Sequence, residues 1–134
     1  MSKKTTLKAS IGREHYRVKL QARQHSFLAD EPLEAGGADS GPAPDEYILA
    51  ALASCTAATL RMYADRKGFD LESVELELSL EVVPGTPPIT HIKRLIQLHG
   101  HLDAAQRQRL LEIANKCPVH RILSNPIDIH TELL

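Results

Sequence analysis

Two segments near the N-terminus alternate between hydrophobic and polar residues, the pattern of half-buried β-strands. Residues 5–11 and 15–24 are predicted to pair across a tight turn at 12–14, and residues 26–29 are a third, shorter candidate strand. Residues 30–44 are rich in Gly, Pro and Asp and are predicted to form a loop. A loop of this length is uncommon inside a compact domain, which favours a functional role.

The second half of the chain carries another alternating pair, residues 71–83 and 89–102, separated by a proline-rich turn. Glutamates alternate with Val and Leu along the first of these strands, and the second carries Lys93 and Arg94. Because opposite charges on neighbouring strands are mildly stabilising, we predict an antiparallel hairpin with a charged, solvated outer face. Residues 127–134 alternate once more and are predicted to form a final strand.

A long apolar helix is predicted over residues 45–68, because residues 47–60 carry no charge and are mostly Ala and Leu. Acidic residues in the first turn, basic residues in the last turn and Gly68 at the end mark its limits. The uncharged part is shorter than the roughly 20 residues that a transmembrane helix needs. A helix that is apolar all round must be covered on every side, so we expect a partner subunit to complete its burial.

A second helix is predicted to begin at a capping box formed by Asp103 and Gln106. It ends near Cys117, and residues 119–124 are predicted to form a short third helix. The predicted order is β-β-(β)-α-β-β-α-α-β, an α+β fold with antiparallel sheet. The length favours a single domain over residues 1–134.

Composition argues against several classes of partner. The net charge is -1, both signs are spread along the chain, Trp is absent and aromatic residues make up 4%. Nucleic acid and anionic membrane are therefore not expected as main partners. The N-terminus lacks the apolar region of a signal peptide, so we predict a cytoplasmic protein without a membrane segment. In that compartment a catalytic or redox-active disulfide is more common than a structural one.

The chain has two cysteines, Cys55 and Cys117. Cys55 lies in the middle of the long helix among small residues, which can leave a slot beside the sulfur. Cys117 lies at a helix start, where the dipole and the free N–H groups favour a thiolate. A free thiol has a pKa of about 8.5, so a nucleophile needs a cation or donor nearby. Arg13, in the predicted turn, and His120 are candidates.

Asp45 and Glu46, at the head of the long helix, are candidates for the acid that orients an arginine. They precede Cys55 by nine or ten residues, which is roughly 13–15 Å along a helix. Direct contact within one helix is therefore excluded. The acid must act through a long side chain or toward the cysteine of a partner subunit.

Residues 36–55, GGADSGPAPDEYILAALASC, and residues 115–119, NKCPV, resemble the OsmC/Ohr family. The resemblance covers nearly the whole chain. It implies an OsmC-like fold, with antiparallel β-sheets wrapped around two long central helices in an intertwined homodimer. It also implies active sites at the dimer interface and cysteine-based reduction of hydroperoxides, organic ones preferred. Electrons would come from a dithiol such as dihydrolipoamide or a lipoyl protein, without a further cofactor.

The family's functional residues are carried over by position. Cys55 matches the peroxidatic cysteine, which would form a sulfenic acid, and Cys117 matches the resolving cysteine, which would condense with it to a disulfide. Asp45 occupies the position of the family's carboxylate, where well-studied members have Glu, and Glu46 is the alternative. Arg13 matches the arginine that some members carry in the first hairpin turn.

One departure from the family's pattern concerns the arginine. Other members carry it in the loop before the helix, and residues 31–44 contain no Arg. The chain is therefore closer to the general OsmC-like branch than to the organic-hydroperoxide-resistance branch.

Two other interpretations are open. Cys117 and His120, with His99 and His101 two residues apart on one strand, have residue types that bind zinc. The second alternative is a binding or scaffold protein on the same fold, with idle buried cysteines, because a lone buried cysteine is commonly a small core residue.

Overall fold

The chain folds as an α+β protein with antiparallel sheets, as predicted. The computed structural model describes residues 3–134. Its strands are β1 (Lys8–Ser10), β2 (Val18–Ala22), β3 (His25–Ala29), β4 (Asp70–Val83) and β5 (Ile89–His101). Its helices are α1 (Pro44–Lys67), α2 (Ala104–Ala114) and α3 (Pro118–Ser124), with a short 3-10 helix at Leu33–Ala35. Two compact units are present, Met1–Ile48 and Leu49–Leu134; the single domain stays a prediction.

The first unit contains a three-stranded antiparallel sheet in the order β1-β2-β3. Val18, Leu20 and Ala22 lie half-buried on one face of β2 and alternate with exposed polar residues, as the sequence pattern predicts. The strands are shorter than predicted, because only Lys8–Ser10 pairs with β2 on that side. Pairing between β2 and β3 covers the full length of both strands.

The loop between β3 and α1 is organised by the buried carboxylate of Asp30. One carboxylate oxygen accepts the backbone N–H groups of Tyr16 at 3.1 Å and Glu31 at 2.7 Å. The other accepts the N–H of Ser40 at 3.1 Å and its hydroxyl at 2.6 Å. These bonds, with that of the Ser40 side chain first, outweigh partial burial and hold the pKa of Asp30 well below its usual range. The long loop is thus an ordered segment held by the Asp30 carboxylate, which is a structural role.

The second unit is built on the β4-β5 hairpin and the three helices. The hairpin is antiparallel, with Leu80 opposite Ile92 and Leu76 opposite Ile96. Gly100 has a φ of 141°, and a side chain there would collide with the carbonyl of Asp70, so glycine is needed beside the irregularity in β4. The core contains seven buried residues from α1, β4 and α2: Leu60, Tyr63, Ala64, Leu71, Leu110, Ile113 and Ala114.

Helix α1 begins and ends close to the predicted residues, with Gly68 at a φ of 71° after its last turn. It buries one stripe and not its whole surface; the stripe is Leu52, Thr56, Leu60, Tyr63 and Ala64. The neighbouring Ala50, Ser54 and Ala58 are exposed, as is 69% of Met62. The core of the single chain therefore covers one side of α1 only, and completion of its burial by a partner subunit stays a prediction.

By length and composition alone, α1 is long and apolar enough to cross a membrane. It is longer than the uncharged segment on which the sequence prediction relied. Core helices of globular proteins share these properties, and the buried stripe of α1 packs in the core of the second unit.

The predicted final strand over residues 127–134 is wrong. Residues 125–134 have no regular secondary structure, and the side chains of Ile127, Ile129 and Leu133 are exposed. The alternation is present in the sequence, but a strand needs a neighbour for its backbone N–H and C=O groups. In the described part of the chain, no strand pairs with this segment.

Replacing Asp30 with Asn is expected to lower the thermal midpoint of unfolding at neutral pH, because an amide is a weaker acceptor than a carboxylate for these donors. The unfolded carboxyl takes up a proton near its ordinary pKa of 3.8, whereas the folded one does so only at lower pH. The carboxylate of Asp30 therefore stabilises the fold fully above about pH 3.8, and this stabilisation is lost as the pH falls below that value. Calorimetric scans should show that the difference in thermal midpoint between wild type and Asp30→Asn narrows as the pH falls below about 3.8. Asp39→Asn, an exposed change in the same loop, is the control; a constant gap would contradict this account.

Candidate active site

Cys117 is the N-cap of α3, as the sequence predicts. Helix α2 ends at Ala114, and Pro118 occupies the first position of α3, where its missing N–H leaves no donor unpaired. The Cys117 sulfur accepts the backbone N–H of His120 at 3.3 Å, the contact that Ser or Asp usually makes at an N-cap. The cysteine is completely buried.

Helix α1 brings two groups to this sulfur. The Thr56 hydroxyl, also completely buried, lies 3.8 Å from the Cys117 sulfur and 2.6 Å from the carbonyl oxygen of Leu52. Cys55 precedes Thr56 on α1 and is half-buried, and its side chain is one of the neighbours that lower the pKa of the Cys117 thiol. The two cysteines, far apart in sequence, therefore lie side by side within the second unit, both as free thiols.

Arg94 is the cation of this cluster, and its predicted position on the solvated face of the hairpin is wrong. Opposite Arg94 in the register is Leu78, so Arg94 is on the half-buried inner face, whereas Lys93 is exposed. Arg94 occupies the even-numbered face that also carries Ile92 and Ile96. This periodicity indicates the inner face, whereas charge pairing alone favours the outer face for both basic residues.

The guanidinium of Arg94 connects three elements around Cys117. It donates to the Thr56 hydroxyl at 2.9 Å and to the side-chain oxygen of Asn115 at 3.0 Å. It also lies 3.1 Å from Nδ1 of His120, and because a guanidinium can only donate, that nitrogen is the acceptor. The remaining proton of a neutral His120 ring is then on Nε2. Thr56 and Asn115 were not identified from the sequence, since neither carries a motif.

The electrostatic balance favours a thiolate at Cys117. Burial alone would raise its pKa, but the N–H of His120, the side chains of Thr56 and Cys55 and the charge of Arg94 together lower it. Burial and the positive charge of Arg94 also lower the pKa of His120. His120 is therefore a neutral hydrogen-bonding group at neutral pH and not a second cation.

The other predicted site residues belong to the first unit. Arg13 is exposed in the bend between β1 and β2. Asp45 and Glu46 are exposed in the first turn of α1, and the carboxylate of Glu46 accepts the backbone N–H of Ala43 at 2.8 Å. Glu46 thus caps its own helix, while the Asp45 carboxylate is exposed. The catalytic roles of these three residues stay predictions.

The residues of the zinc alternative do not assemble. His99 contacts Glu75 and His101 contacts Asp70, each at 3.0 Å, whereas His120 contacts Arg94. Over residues 3–134, the only group of possible ligand atoms is exposed, at Asp70, Glu72 and His101. Exposed acidic groups of this kind are common without a metal.

The fold and the paired cysteines define an α+β protein with a two-thiol site. The family described as OsmC-like protein matches residues 37–132, and the chain belongs to this family. No curated protein matches the chain significantly.

Solved structures share the fold. An OsmC-like protein from Mycoplasma pneumoniae has a TM-score of 0.78 at 19% identity, over 92% of this chain and 89% of that one. An organic hydroperoxide resistance protein OsmC from Legionella pneumophila has a TM-score of 0.69 at 20% identity, over 91% and 90%. The organic hydroperoxide resistance protein of Bacillus subtilis has 0.66 at 18%, over 93% of each chain. At these identities the likeness shows the fold alone.

In a Cys55→Ser variant, the remaining thiol is expected to ionise below the ordinary thiol pKa of about 8.5. The serine hydroxyl can still donate a hydrogen bond, so the surroundings of Cys117 change little. The measurement is the ultraviolet absorbance of the thiolate as a function of pH, with Cys55→Ser/Cys117→Ser as the blank. A midpoint at or above 8.5 would contradict the electrostatic description of the site.

Proposed function

We propose that the protein is a cysteine-based peroxidase that reduces organic hydroperoxides in defence against oxidative stress. The observation that carries the proposal is the pairing of a half-buried Cys55 with a buried Cys117 beside a guanidinium. A pair of adjacent free thiols with a nearby positive charge is suited to peroxide reduction followed by disulfide formation. Structural neighbours named as organic hydroperoxide resistance proteins support the same chemistry.

Exposure supports the roles proposed for the two sulfurs. Cys117 is completely buried, whereas Cys55 is partly accessible, so a peroxide reaches Cys55 first. The Cys55 thiolate attacks the O–O bond, which breaks to leave a sulfenic acid on Cys55 and an alcohol after protonation. The Cys117 thiolate then attacks the sulfenic sulfur, the S–O bond breaks, and the hydroxide leaves as water after taking up a proton. Two thiols are oxidised to a disulfide and one hydroperoxide is reduced.

A dithiol, such as a lipoyl group on a carrier protein, then restores both thiols by exchange. Asp45 and Arg13 are retained in this proposal as the acid and the cation of the family's site. Glu46 is the less suitable acid, because its carboxylate caps α1. Arg94 supplies a second positive charge, beside the Cys117 sulfur.

We also propose that the protein acts as a homodimer in the cytoplasm. Helix α1 exposes Met62 and several alanines, although its composition is that of a core helix. The C-terminal segment, residues 125–134, combines strand-like alternation with exposed isoleucines. Both features are suited to burial against a second copy, which would cover α1 and offer the C-terminal segment a strand to pair with.

One equivalent of cumene hydroperoxide is expected to consume both thiols and to give an intramolecular Cys55–Cys117 disulfide, identified by mass spectrometry of peptides. Cys55→Ser should reduce turnover to the uncatalysed rate, because the nucleophile is lost. Cys117→Ser should accumulate a sulfenic acid on Cys55 that dimedone labels. Ser54→Ala, an exposed change one residue away, is the matched control. If both thiols survive the treatment in folded protein, the scaffold alternative is the better one.

Sedimentation equilibrium is expected to give twice the mass of the chain. Met62→Glu should shift the species toward monomer, because it puts a charge on the exposed side of α1. Glu112→Lys, a charge change on the exposed surface of α2, should leave the mass unchanged. A wild-type monomer at micromolar concentration would contradict the dimer and leave the thiol chemistry open.

A further inference from the structure

Within residues 3–134, Arg94 forms no ion pair with a carboxylate. Its three contacts, Thr56, Asn115 and His120, are neutral groups. A partly buried positive charge is stabilised further by a negative charge, so the arrangement favours an anion nearby.

The Cys117 thiolate is the group that can supply this anion. The charged and titratable groups around the sulfur are Cys55 on α1, Arg94 on β5 and His120 on α3. His120 is neutral, so Arg94 is the positive charge in this cluster. Thr56 connects it to the sulfur, because its hydroxyl accepts from the guanidinium and lies 3.8 Å from Cys117.

The hydroxyl of Thr56 can serve both protonation states. With Cys117 as a thiol, the S–H can donate to Thr56, whose own proton goes to the carbonyl of Leu52 at 2.6 Å. With Cys117 as a thiolate, the Thr56 proton turns to the sulfur. The carbonyl of Leu52 keeps the backbone hydrogen bond that it accepts within α1. Neither state leaves a buried group unpaired.

We propose that Arg94 is a positioning residue that acts through Thr56 to hold Cys117 as the stabilised thiolate, which makes the Cys55–Cys117 disulfide react in one direction. A dithiol reductant then attacks Cys55 and expels Cys117. The inference rests on the proposed function for the disulfide itself. Exposure agrees with the direction, because Cys55 is partly accessible and Cys117 is buried.

The exchange between the reductant and the Cys55–Cys117 disulfide has two steps. A thiolate of the reductant forms a bond to the Cys55 sulfur, the Cys55–Cys117 bond breaks, and its electron pair remains on Cys117. The second thiol of the reductant loses its proton and attacks the reductant sulfur of the mixed disulfide. That step closes the reductant's own disulfide and releases Cys55, which takes up a proton. A thiol with a lower pKa is a better leaving group. Arg94 therefore speeds this exchange by stabilising the Cys117 thiolate.

The test uses wild-type protein oxidised with diamide, so it does not depend on reactivity toward peroxides. A monothiol, 2-mercaptoethanol, is added in limited amount, and the mixed disulfide is mapped by peptide mass spectrometry after free thiols are blocked. The adduct is expected on Cys55. An adduct mainly on Cys117 would overturn the proposal, and a failure of peroxide turnover alone would overturn only the proposed function.

Variants separate positioning from a structural role. Arg94→Gln should slow the reduction of the diamide-formed disulfide by dihydrolipoamide about threefold to tenfold, because a less stabilised thiolate is a poorer leaving group. In a Cys55→Ser background it should also move the ionisation of Cys117 to higher pH, and Arg94→Lys should restore part of that shift. Lys93→Gln, the exposed neighbour on the same strand, is the matched control. Equal rates and equal titration curves for Arg94→Gln and Lys93→Gln would refute the inference.

Discussion

The positive charge of Arg94 on the inner face of the β4-β5 hairpin is the constraint on which the site depends. A guanidinium in that position must have hydrogen-bond acceptors, and they come from three helical segments. Thr56 lies one turn after Leu52 on α1, Asn115 is the C-cap of α2, and His120 lies in the first turn of α3. These groups surround one sulfur atom, that of Cys117. The charge thus organises the second unit around a cysteine and not around a carboxylate.

Cys117 has two functions in this arrangement that support one another. Its sulfur caps α3, which has only seven residues and makes few internal hydrogen bonds, and the same sulfur is a candidate reactant. A thiolate is a better acceptor than a thiol for the N–H of His120, so ionisation strengthens the cap. Formation of a disulfide removes the negative charge next to Arg94. The oxidised state therefore lacks the favourable interaction between the Cys117 thiolate and Arg94, which reduction restores. The stability of the site thus depends on its redox state.

Local sequence signals predicted most of the secondary structure. Alternation identified both hairpins, a capping box marked the start of α2, and the uncharged segment and Gly68 defined α1. The position of Cys117 at a helix start followed from Pro118, because proline is favoured in the first turn. Pairing of the two cysteines came from the family resemblance alone, since spacing in the sequence does not encode which helices meet.

The errors concern contacts that the sequence pattern does not report. Arg94 was assigned by charge, although its position between Ile92 and Ile96 indicated the inner face. Alternation over residues 127–134 is genuine, but a pattern cannot supply the neighbouring strand that a β-strand requires.

The central claim is that Cys55 and Cys117 form one redox pair beside Arg94. The most direct measurement is a crystal structure of the protein after exposure to an organic hydroperoxide. It should show a bond between the two sulfurs, with the guanidinium of Arg94 still bound to Thr56. Two separate sulfurs, with either one oxidised to a sulfinic acid and the other unchanged, would contradict the account.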